Sequence, residues 1–576
     1  MFLLPFVNIY HQQPIPSFYA EWVAAVLGLL SLSALLKQGS WQPVQIPQIA
    51  LVMLGLVAIL GMQWMLNMLH STQYALLVFS YMALMFFLMV LGSYLRRALG
   101  WEKIATTLAW CMVIGGMINV VIVALQFAIR SGIVTSFIPN YSSYGAIAQA
   151  NHFADFIALA TISLLYLYAK GKFSLKLFSI FLALFLVMLS FTGSRSSWLY
   201  LASTVVLAIM LQVNAMKQGT GSKAMRRLLR ASLLLLPAFA IAQLLIHYGL
   251  SDELVMLPTE RAVELASPTS VSARMQIWYD SLRLFWQSPW LGIGAGQIRA
   301  ETFLLADMPS TLASKRIFEN AHNLFLHLLA EMGIGGFLLV FVGLFAWLRG
   351  FKWHALNLET WWLIALLGVL GIHSMLEYPL WFAYFSCVVA FLLGAGDEKL
   401  CTINLSKTAR RLAERFGHVF ACTVLVVFMA LGAVNLGTMM VANIKLENVV
   451  MGVVGQESNE QDEQLDWIHS YSLLSPYAEL MYTLSMAVNP SHIEDKLWLS
   501  ESAMRFRPMR RVAYQHVLLL KLNGDEAAAV KHLNRTLIVH PGNFKGELEA
   551  MPFKYWQDYL DVLSIARPIK KRIPQK

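Results

Sequence analysis

The residues best placed to do chemistry lie between Glu319 and Gly336, in the stretch ENAHNLFLHLLAEMGIGG. Asn320, His322 and Asn323 come first, and a hydrophobic helix carrying His327 and Glu331 follows. Titratable groups at the mouth of a membrane helix are costly unless they face protein or water, which makes them functional candidates. A histidine titrates near neutrality, so His322 is suited to take a proton from an acceptor hydroxyl. His327 and Glu331 stand four residues apart on one helical face. That spacing would suit zinc, but there is no HExxH and no third ligand nearby, and a structural pair inside a bundle fits better.

Four further polar stretches break into apolar sequence. GAIAQANHFAD holds Gln149, Asn151 and His152, whose amides and imidazole suit sugar hydroxyls or a phosphate; helix capping by Asn151 with a solvated Gln149 is the plainer alternative. TGSRSSW puts Arg195 in a very short turn between two apolar runs. Its guanidinium fork matches phosphate oxygens, with Gly193, Ser194 and Ser196 as further donors, unless it merely snorkels to headgroups. VSARMQIWYDSLRLFWQ repeats Arg274, Trp278, Leu282 and Phe285 at helical spacing, the pattern of an amphipathic helix ending at Pro289 and able to lie on a membrane; Arg274 is a second phosphate candidate. The following GIGAG has no strand before it, so it is a tight turn and not a dinucleotide loop. HSMLEYPLW places His373 and Glu377 four apart, with Tyr378 beside Pro379, a bent segment tolerated at membrane depth where protein or a wet cavity lines it.

These groups need a scaffold, and the composition says which. Of 576 residues, 58% are hydrophobic and 13% charged, about half the charged share of a soluble protein. The apolar residues fall in long runs, so the expected fold is an all-α polytopic membrane protein. About twelve spans (eleven to thirteen) can be drawn, near 20–36, 46–68, 73–95, 105–128, 152–169, 175–191, 197–213, 229–247, 324–348, 358–375, 378–396 and 418–440. Residues 1–10 are apolar but too short to span, which suggests an interfacial segment or the remnant of a longer first helix. The net charge of +10 does not point to nucleic acid, because the basic residues cluster in short loops between spans. Arg96 to Lys103, Lys170 to Lys176, Lys217 to Arg230, Arg349 to Lys352 and Lys399 to Arg415 all fall on one side, expected to be the cytoplasm. Parity then places every polar stretch above on the opposite face. The four cysteines show no CxxC spacing and are expected to be small core thiols.

The expected organisation is N-terminal membrane helices (1–128), membrane helices bearing QANH and TGSR (129–247), a large periplasmic loop (248–323), further membrane helices (324–442) and a periplasmic helical domain (443–576). In the last, AMRFRP and LIVHP end 33 residues apart, at Pro508 and Pro541, with a turn at Asn523-Gly524 between them. That period is similar to a tetratricopeptide repeat, with room for a small helical hairpin domain that either binds a partner or simply packs.

Taken together, TGSRSSW, the R-x-x-x-W helix with PWLGIGAG, and AHNLFLHLLAEMGIGG resemble the Wzy C superfamily of O-antigen ligases, O-antigen polymerases and O-oligosaccharyltransferases. HSMLEYPLW, the QANH motif, the repeat-like C-terminal part and QQPIPSFYAEW resemble its PglL-type protein O-oligosaccharyltransferases in particular. The resemblance implies a multi-pass enzyme of the bacterial inner membrane with its site and C-terminal domain facing the periplasm. It would move a glycan en bloc from undecaprenyl pyrophosphate to Ser or Thr of exported proteins such as pilins, by an inverting displacement at the anomeric carbon. By motif position, His322 matches the essential histidine, Arg195 and Arg274 the arginines that hold the donor pyrophosphate, and Gln149, Asn151 and His152 a QxNH-type segment; Asn323, His373, Glu377 and Tyr378 would support substrate binding. No nucleotide, cofactor or obligatory metal is implied, since two arginines can meet the electrostatic demand. The first span is short before Pro14 compared with the family, as a cut or misplaced start would make it. The rivals are an O-antigen ligase acting on lipid A core, a polymerase, and a transporter of lipid-linked sugar; the last should show internal repeats, and none is evident.

Overall fold

The computed structural model describes residues 1–37, 45–133, 144–249, 268–308, 317–401, 407–452 and 458–540. In chain order, the apolar helices are α1 (Phe18–Ser31), α2 (Ala50–Met65), α3 (Thr72–Leu99), α4 (Trp101–Arg130), α5 (Ala150–Ala169), α6 (Leu175–Phe191), α7 (Ser196–Lys217), α8 and α9 (Lys223–Leu233 and Leu235–Gly249), then, after two helices described below, α12 (Leu324–Gly350), α13 (Leu358–Ser374), α14 (Ala383–Gly396) and α15 (Lys407–Met451). Among the described residues, eight stretches are long and apolar enough to cross a membrane, α8 and α9 counting as one, while α2, α6, α13 and α14 are apolar but shorter. Every expected span overlies one of them. An apolar helix as bare as α15 would not persist in water, so the exposed faces call for a hydrocarbon surrounding. The protein is a helical, multi-pass membrane protein, with one two-residue antiparallel bridge among the described residues, Ile46–Pro47 on Leu400–Cys401.

The chain divides into two compact units. The first takes residues 1–55, 81–267 and 339–436; the second takes 56–80, 268–338 and 437–576. In the first unit α5 is almost wholly enclosed, with α4, α6, α7, α8 and α13 packed around it. One end of this bundle is tied by charge. Lys170, just past α5, lies 2.8 Å from Glu102 and 2.6 Å from Glu359, at the starts of α4 and α13, and Arg227 reaches the Tyr168 carbonyl at 3.3 Å. Arg96 donates to the Ala395 carbonyl at 2.9 Å. The basic loops therefore meet at one end of α4, α5 and α13, and the QANH and HSMLEY motifs lie at the other end of α5 and α13.

Two features of this unit go beyond the expectations. Residues 1–10 pack on the bundle through a short 3-10 turn, Leu4–Val7, with Phe6 fully buried and stacked on Phe156 at 4.3 Å while Leu4 and Tyr10 stay exposed. Asn119 of α4 donates to the Phe6 carbonyl at 2.9 Å, satisfying backbone that is out of reach of solvent. The expected span 378–396 is shorter, because Pro379 starts a 3-10 turn and the helix proper begins at Ala383.

In the second unit, α10 (Pro268–Gln287) and α11 (Ile298–Leu304) precede the N-terminal part of α12, and α16 (Ser458–Tyr471), α17 (Ser475–Ser485), α18 (Ile493–Phe506), α19 (Arg510–Leu522) and α20 (Glu526–Val539) follow α15. Each of these last five packs on the next. Gly524 takes the left-handed turn expected at Asn523-Gly524 (φ 87°); Pro541, the other end of the 33-residue period, lies outside the described residues, as do the side chains of Lys407 to Arg415. Phe303 of α11 enters the core formed by Leu480, Ala503, Met504, Val512 and Ala513, and Arg535 pairs with Asp307 at 3.1 Å. The loop and the C-terminal helices thus share one hydrophobic core.

Candidate functional site

In the first unit the chain enters α5 through left-handed Ala148 (φ 59°). Gln149 then caps the helix, its side-chain oxygen accepting from the His152 amide. The sequence had suggested Asn151 as the cap and Gln149 as solvated. The roles are reversed, because Gln149 has the extended backbone a cap requires while Asn151 already sits in the first turn. Asn151 is thereby freed to donate from Nδ2 to Glu377 Oε1 at 3.1 Å. The approach is pinned by amide side chains of α4: Gln126 exchanges two 3.1 Å hydrogen bonds with Gly145, and Asn119 accepts from the Ala146 amide at 2.9 Å.

Beneath this rim lies a buried layer. His373, at the end of α13, has Nδ1 2.6 Å from the Tyr200 hydroxyl and 3.4 Å from Asp155 Oδ1. His152 packs edge-on against Phe382 at 4.6 Å, and its ring centre is 5.6 Å from that of His373. The structure therefore brings Gln149, Asn151, His152, His373, Glu377 and Tyr378 together. It adds Asp155 and Tyr200, which the sequence reading missed. The signal for Asp155 was available, as a carboxyl one helical turn after Asn151 inside an apolar run; nothing local marks Tyr200.

Arg195, also in this unit, is exposed at the start of α7; its carbonyl accepts from the Trp198 amide at 3.2 Å, and its guanidinium makes no hydrogen bond or ion pair with any described residue. The turn before it is closed by Gly193 (φ 61°) and by Thr192, whose hydroxyl accepts from the Ser194 amide at 3.1 Å. Ser194 and Ser197 bury hydroxyls that have no hydrogen-bond partner among the described residues.

In the second unit His322 is half-buried and takes the left-handed conformation (φ 49°). This is uncommon away from glycine, though histidine is among the residues that tolerate it. Asn323 next to it caps α12, accepting from the Phe325 and Leu326 amides at 3.1 Å. His327 and Glu331 are buried and paired at 3.1 Å, the structural pair their spacing suggested.

α12 is not the uninterrupted helix expected. It breaks at Gly333 (φ 66°, ψ −167°), and the amide of Ile334 turns out to the Pro289 carbonyl at 2.8 Å. PWLGIGAG lies directly against this break. Ile293 and Gly294 donate to the carbonyls of Ala330 and Glu331 at 2.9 and 3.2 Å, and a Cβ on Gly292 would stand 2.3 Å from the Glu331 carbonyl carbon. The glycines do serve a turn, and also let two backbones touch. Gln63, fully buried, binds the assembly: Nε2 donates to Leu291 and Glu331 carbonyls at 2.6 and 2.7 Å, and Oε1 accepts from Ala295 at 3.2 Å. Gln63 was also missed, since a lone glutamine near the end of an apolar run carries no motif.

Arg274 sits near the start of α10, whose polarity is inverted. Gln276, Asp280 and Ser281 are buried, while Met275, Trp278, Tyr279, Leu282 and Trp286 are exposed along one stripe. This is the amphipathic helix expected, with Phe285 replaced by Trp286 on the apolar side. Arg195 belongs to the first unit, and Arg274 and His322 to the second.

Residues 178–341 match the family model described as O-antigen ligase, and residues 361–550 match that of the C-terminal part of a virulence factor membrane-bound polymerase. Two proteins of Acinetobacter baylyi are similar along most of the chain. One, named general O-oligosaccharyltransferase, is 28% identical over 398 residues, covering 67% of this chain and 66% of its own length. The other, named ComP-specific O-oligosaccharyltransferase, is 24% identical over 381 residues, covering 65% and 66%. The chain is thus similar to the O-antigen ligase family over 178–341, and to O-oligosaccharyltransferases over about two thirds of its length. The matches span just under two thirds of each relative's length. The ligase match contains Arg195, Arg274, His322 and Asn323, and the polymerase match contains His373, Glu377 and Tyr378. Gln149, Asn151 and His152 lie outside both, and are tied to the matched region by the Asn151–Glu377 contact.

Proposed function

We propose that the protein is an O-oligosaccharyltransferase of the bacterial inner membrane that moves a glycan en bloc from undecaprenyl pyrophosphate to Ser or Thr of exported proteins, pilins among them. The observation that carries this reading is the match to two relatives named O-oligosaccharyltransferases over about two thirds of this chain. In this reading the membrane part has twelve spans, the basic loops face the cytoplasm, and the polar motifs, the 248–323 loop and the tetratricopeptide-like C-terminal helices face the periplasm. The exposed Arg195 guanidinium, free of protein partners among the described residues, supports a role in holding an anion from outside the fold.

Arg195 and Arg274 stabilise the charge that grows on the departing pyrophosphate, the largest expected contribution to the rate. His322 takes the proton of the acceptor hydroxyl as its oxygen attacks the anomeric carbon, and the bond from that carbon to the pyrophosphate oxygen breaks with inversion. Asn323 holds the helix start that presents His322. Gln149, Asn151, His152, His373, Glu377 and Tyr378 bind or support the substrates. The test is intact-mass measurement of pilins and other periplasmic proteins from a glycan-producing host, with and without the gene. A glycan-sized mass increment that depends on the gene supports the reading; its absence in a host shown to make the donor rejects it.

The names of the two matching family models favour a second reading, an O-antigen ligase or polymerase with the same donor chemistry. Glycan appearing on lipid A core, or as longer polymer, with none on protein would establish that alternative.

A further inference from the structure

Asp155 and Tyr200 are buried polar groups with no part in the reaction as described so far. Asp155 is fully buried, and among the described residues neither carboxyl oxygen has a hydrogen bond of good geometry, the nearest ring nitrogen being His373 Nδ1 at 3.4 Å. A buried carboxyl is expensive to leave unserved. The Tyr200 hydroxyl lies beside both the carboxyl and His373 Nδ1. A hydroxyl has one proton to donate and lone pairs to accept. With the proton of His373 on Nδ1, the ring donates to the Tyr200 oxygen and Tyr200 donates on to Asp155. That orientation leaves none of the three facing groups idle, and it fixes the imidazole plane.

The consequence is carried by backbone. The His373 carbonyl accepts from the amides of Leu376 and Glu377 at 2.9 and 2.7 Å, so the turn bearing Glu377 and Tyr378 hangs on the residue whose side chain is held. Asp155 is on α5, one helical turn from Asn151, which donates to Glu377 at 3.1 Å. α5 and the 373–378 turn are therefore joined twice, once in the buried layer and once at the rim. The rim groups are an amide and a carboxylate, half-buried and acceptor-rich, a pairing suited to an aliphatic hydroxyl and ill-suited to a phosphate.

We propose that Asp155, Tyr200 and His373 form a buried positioning network that sets the 373–378 turn against α5, so that Glu377, steadied by Asn151, binds a substrate hydroxyl. The hydroxyl is that of the donor sugar or of the acceptor Ser or Thr. The functional half rests on the transferase reading above; the positioning half stands without it.

Two measurements separate these halves. A cysteine reporter in the turn (Leu376→Cys) is labelled with a water-soluble maleimide in purified protein, with the unsubstituted chain as background. Adding Tyr200→Phe, which removes one oxygen and keeps the ring, should speed labelling several-fold, and Asp155→Asn should do the same. Unchanged labelling in folded variants overturns the network. Transfer is then measured in proteoliposomes with lipid-linked oligosaccharide from the host and a purified acceptor protein. Tyr200→Phe and Glu377→Gln should each slow transfer about tenfold or more, and the double variant should lose little beyond the worse single one. Multiplicative losses overturn the link to Glu377. A raised KM for the lipid-linked donor assigns the sugar hydroxyl, and a raised KM for the protein assigns Ser or Thr. Faster labelling with unaltered transfer overturns the functional half alone. A wild-type protein that transfers nothing refutes the transferase reading and leaves the labelling result to judge the network.

Discussion

Two helices of this protein begin in the same way and end up doing different things. α5 is entered through left-handed Ala148 and capped by the amide of Gln149; α12 is entered through left-handed His322 and capped by the amide of Asn323. In the first case the histidine follows the cap, at position 152, and is buried among aromatic rings. In the second it precedes the cap and stays half-exposed on backbone that most residues avoid. A cap fixes backbone direction alone. Here the imidazole after the cap is buried and the one before it stays half-exposed. The supports differ as well: side chains hold the first site together, whereas backbone contacts across glycines, tied by the one Gln63 side chain, hold the second.

The sharpest way to break this contrast is to exchange the burdens of the two histidines. His322→Ala should abolish detectable transfer, a loss on the order of 10² to 10⁴ for a lost acid–base group, with expression and melting temperature near normal. His152→Ala should instead lower the melting temperature, because it opens a cavity among Phe382 and Phe385. Persistent glycosylation of an acceptor protein by the His322 variant, read by intact mass, would remove it from the chemistry.

The backbone-built character of the second site is tested by Gly292→Ala. The added methyl would meet the Glu331 backbone at 2.3 Å, at a residue with φ 73°. A cost above about 3 kcal/mol is expected from the clash and strain together, seen as a large drop in melting temperature or loss of folded protein. Arg195→Ala should then slow transfer about a hundredfold with little effect on stability, since one stabiliser of developing charge is lost. Arg195→Lys should recover part of that, because the charge returns without the bidentate fork. Gln63→Ala removes three buried hydrogen bonds and should cost about 2–3 kcal/mol of stability.

The mildest effect concerns acid. His516 of α19 is buried and hydrogen-bonded to Ser500 at 2.8 Å, and burial lowers its pKa to about 3. The unfolded chain takes up the proton first, near pH 6.5, so the stability this residue contributes is present above that pH. It is lost as pH falls from 6.5 towards 3. Between pH 7 and 5 the second unit should lose about 2 kcal/mol, measured as a falling melting temperature, and His516→Gln should flatten the slope.

Much of this was legible in the chain itself. Unbroken apolar runs require helices in hydrocarbon, since no other element satisfies its own backbone there, and each expected span overlies a helix. Spacing of four on one face gave the His327–Glu331 pair, and GIGAG without a preceding strand gave a turn. The clustering of basic loops was likewise readable, and the Lys170 pairs with Glu102 and Glu359 show those loops meeting at one end of the bundle.

The remainder needed contacts between residues far apart in sequence. Nothing near Asn151 reveals that its partner is Glu377, 226 positions later. Nothing near Tyr200 reveals His373, and nothing near Gln63 reveals the loop it binds. The break at Gly333 and the buried turn at Leu4–Val7 were invisible for the same reason: each is stable because a distant segment supplies a hydrogen-bond partner, Pro289 in one case and Asn119 in the other. Sequence alone determined which segments seek hydrocarbon and which residues carry charge, because both are properties of side chains. Tertiary structure decided which polar groups face each other, because a buried donor or acceptor is tolerated only where the fold brings its partner.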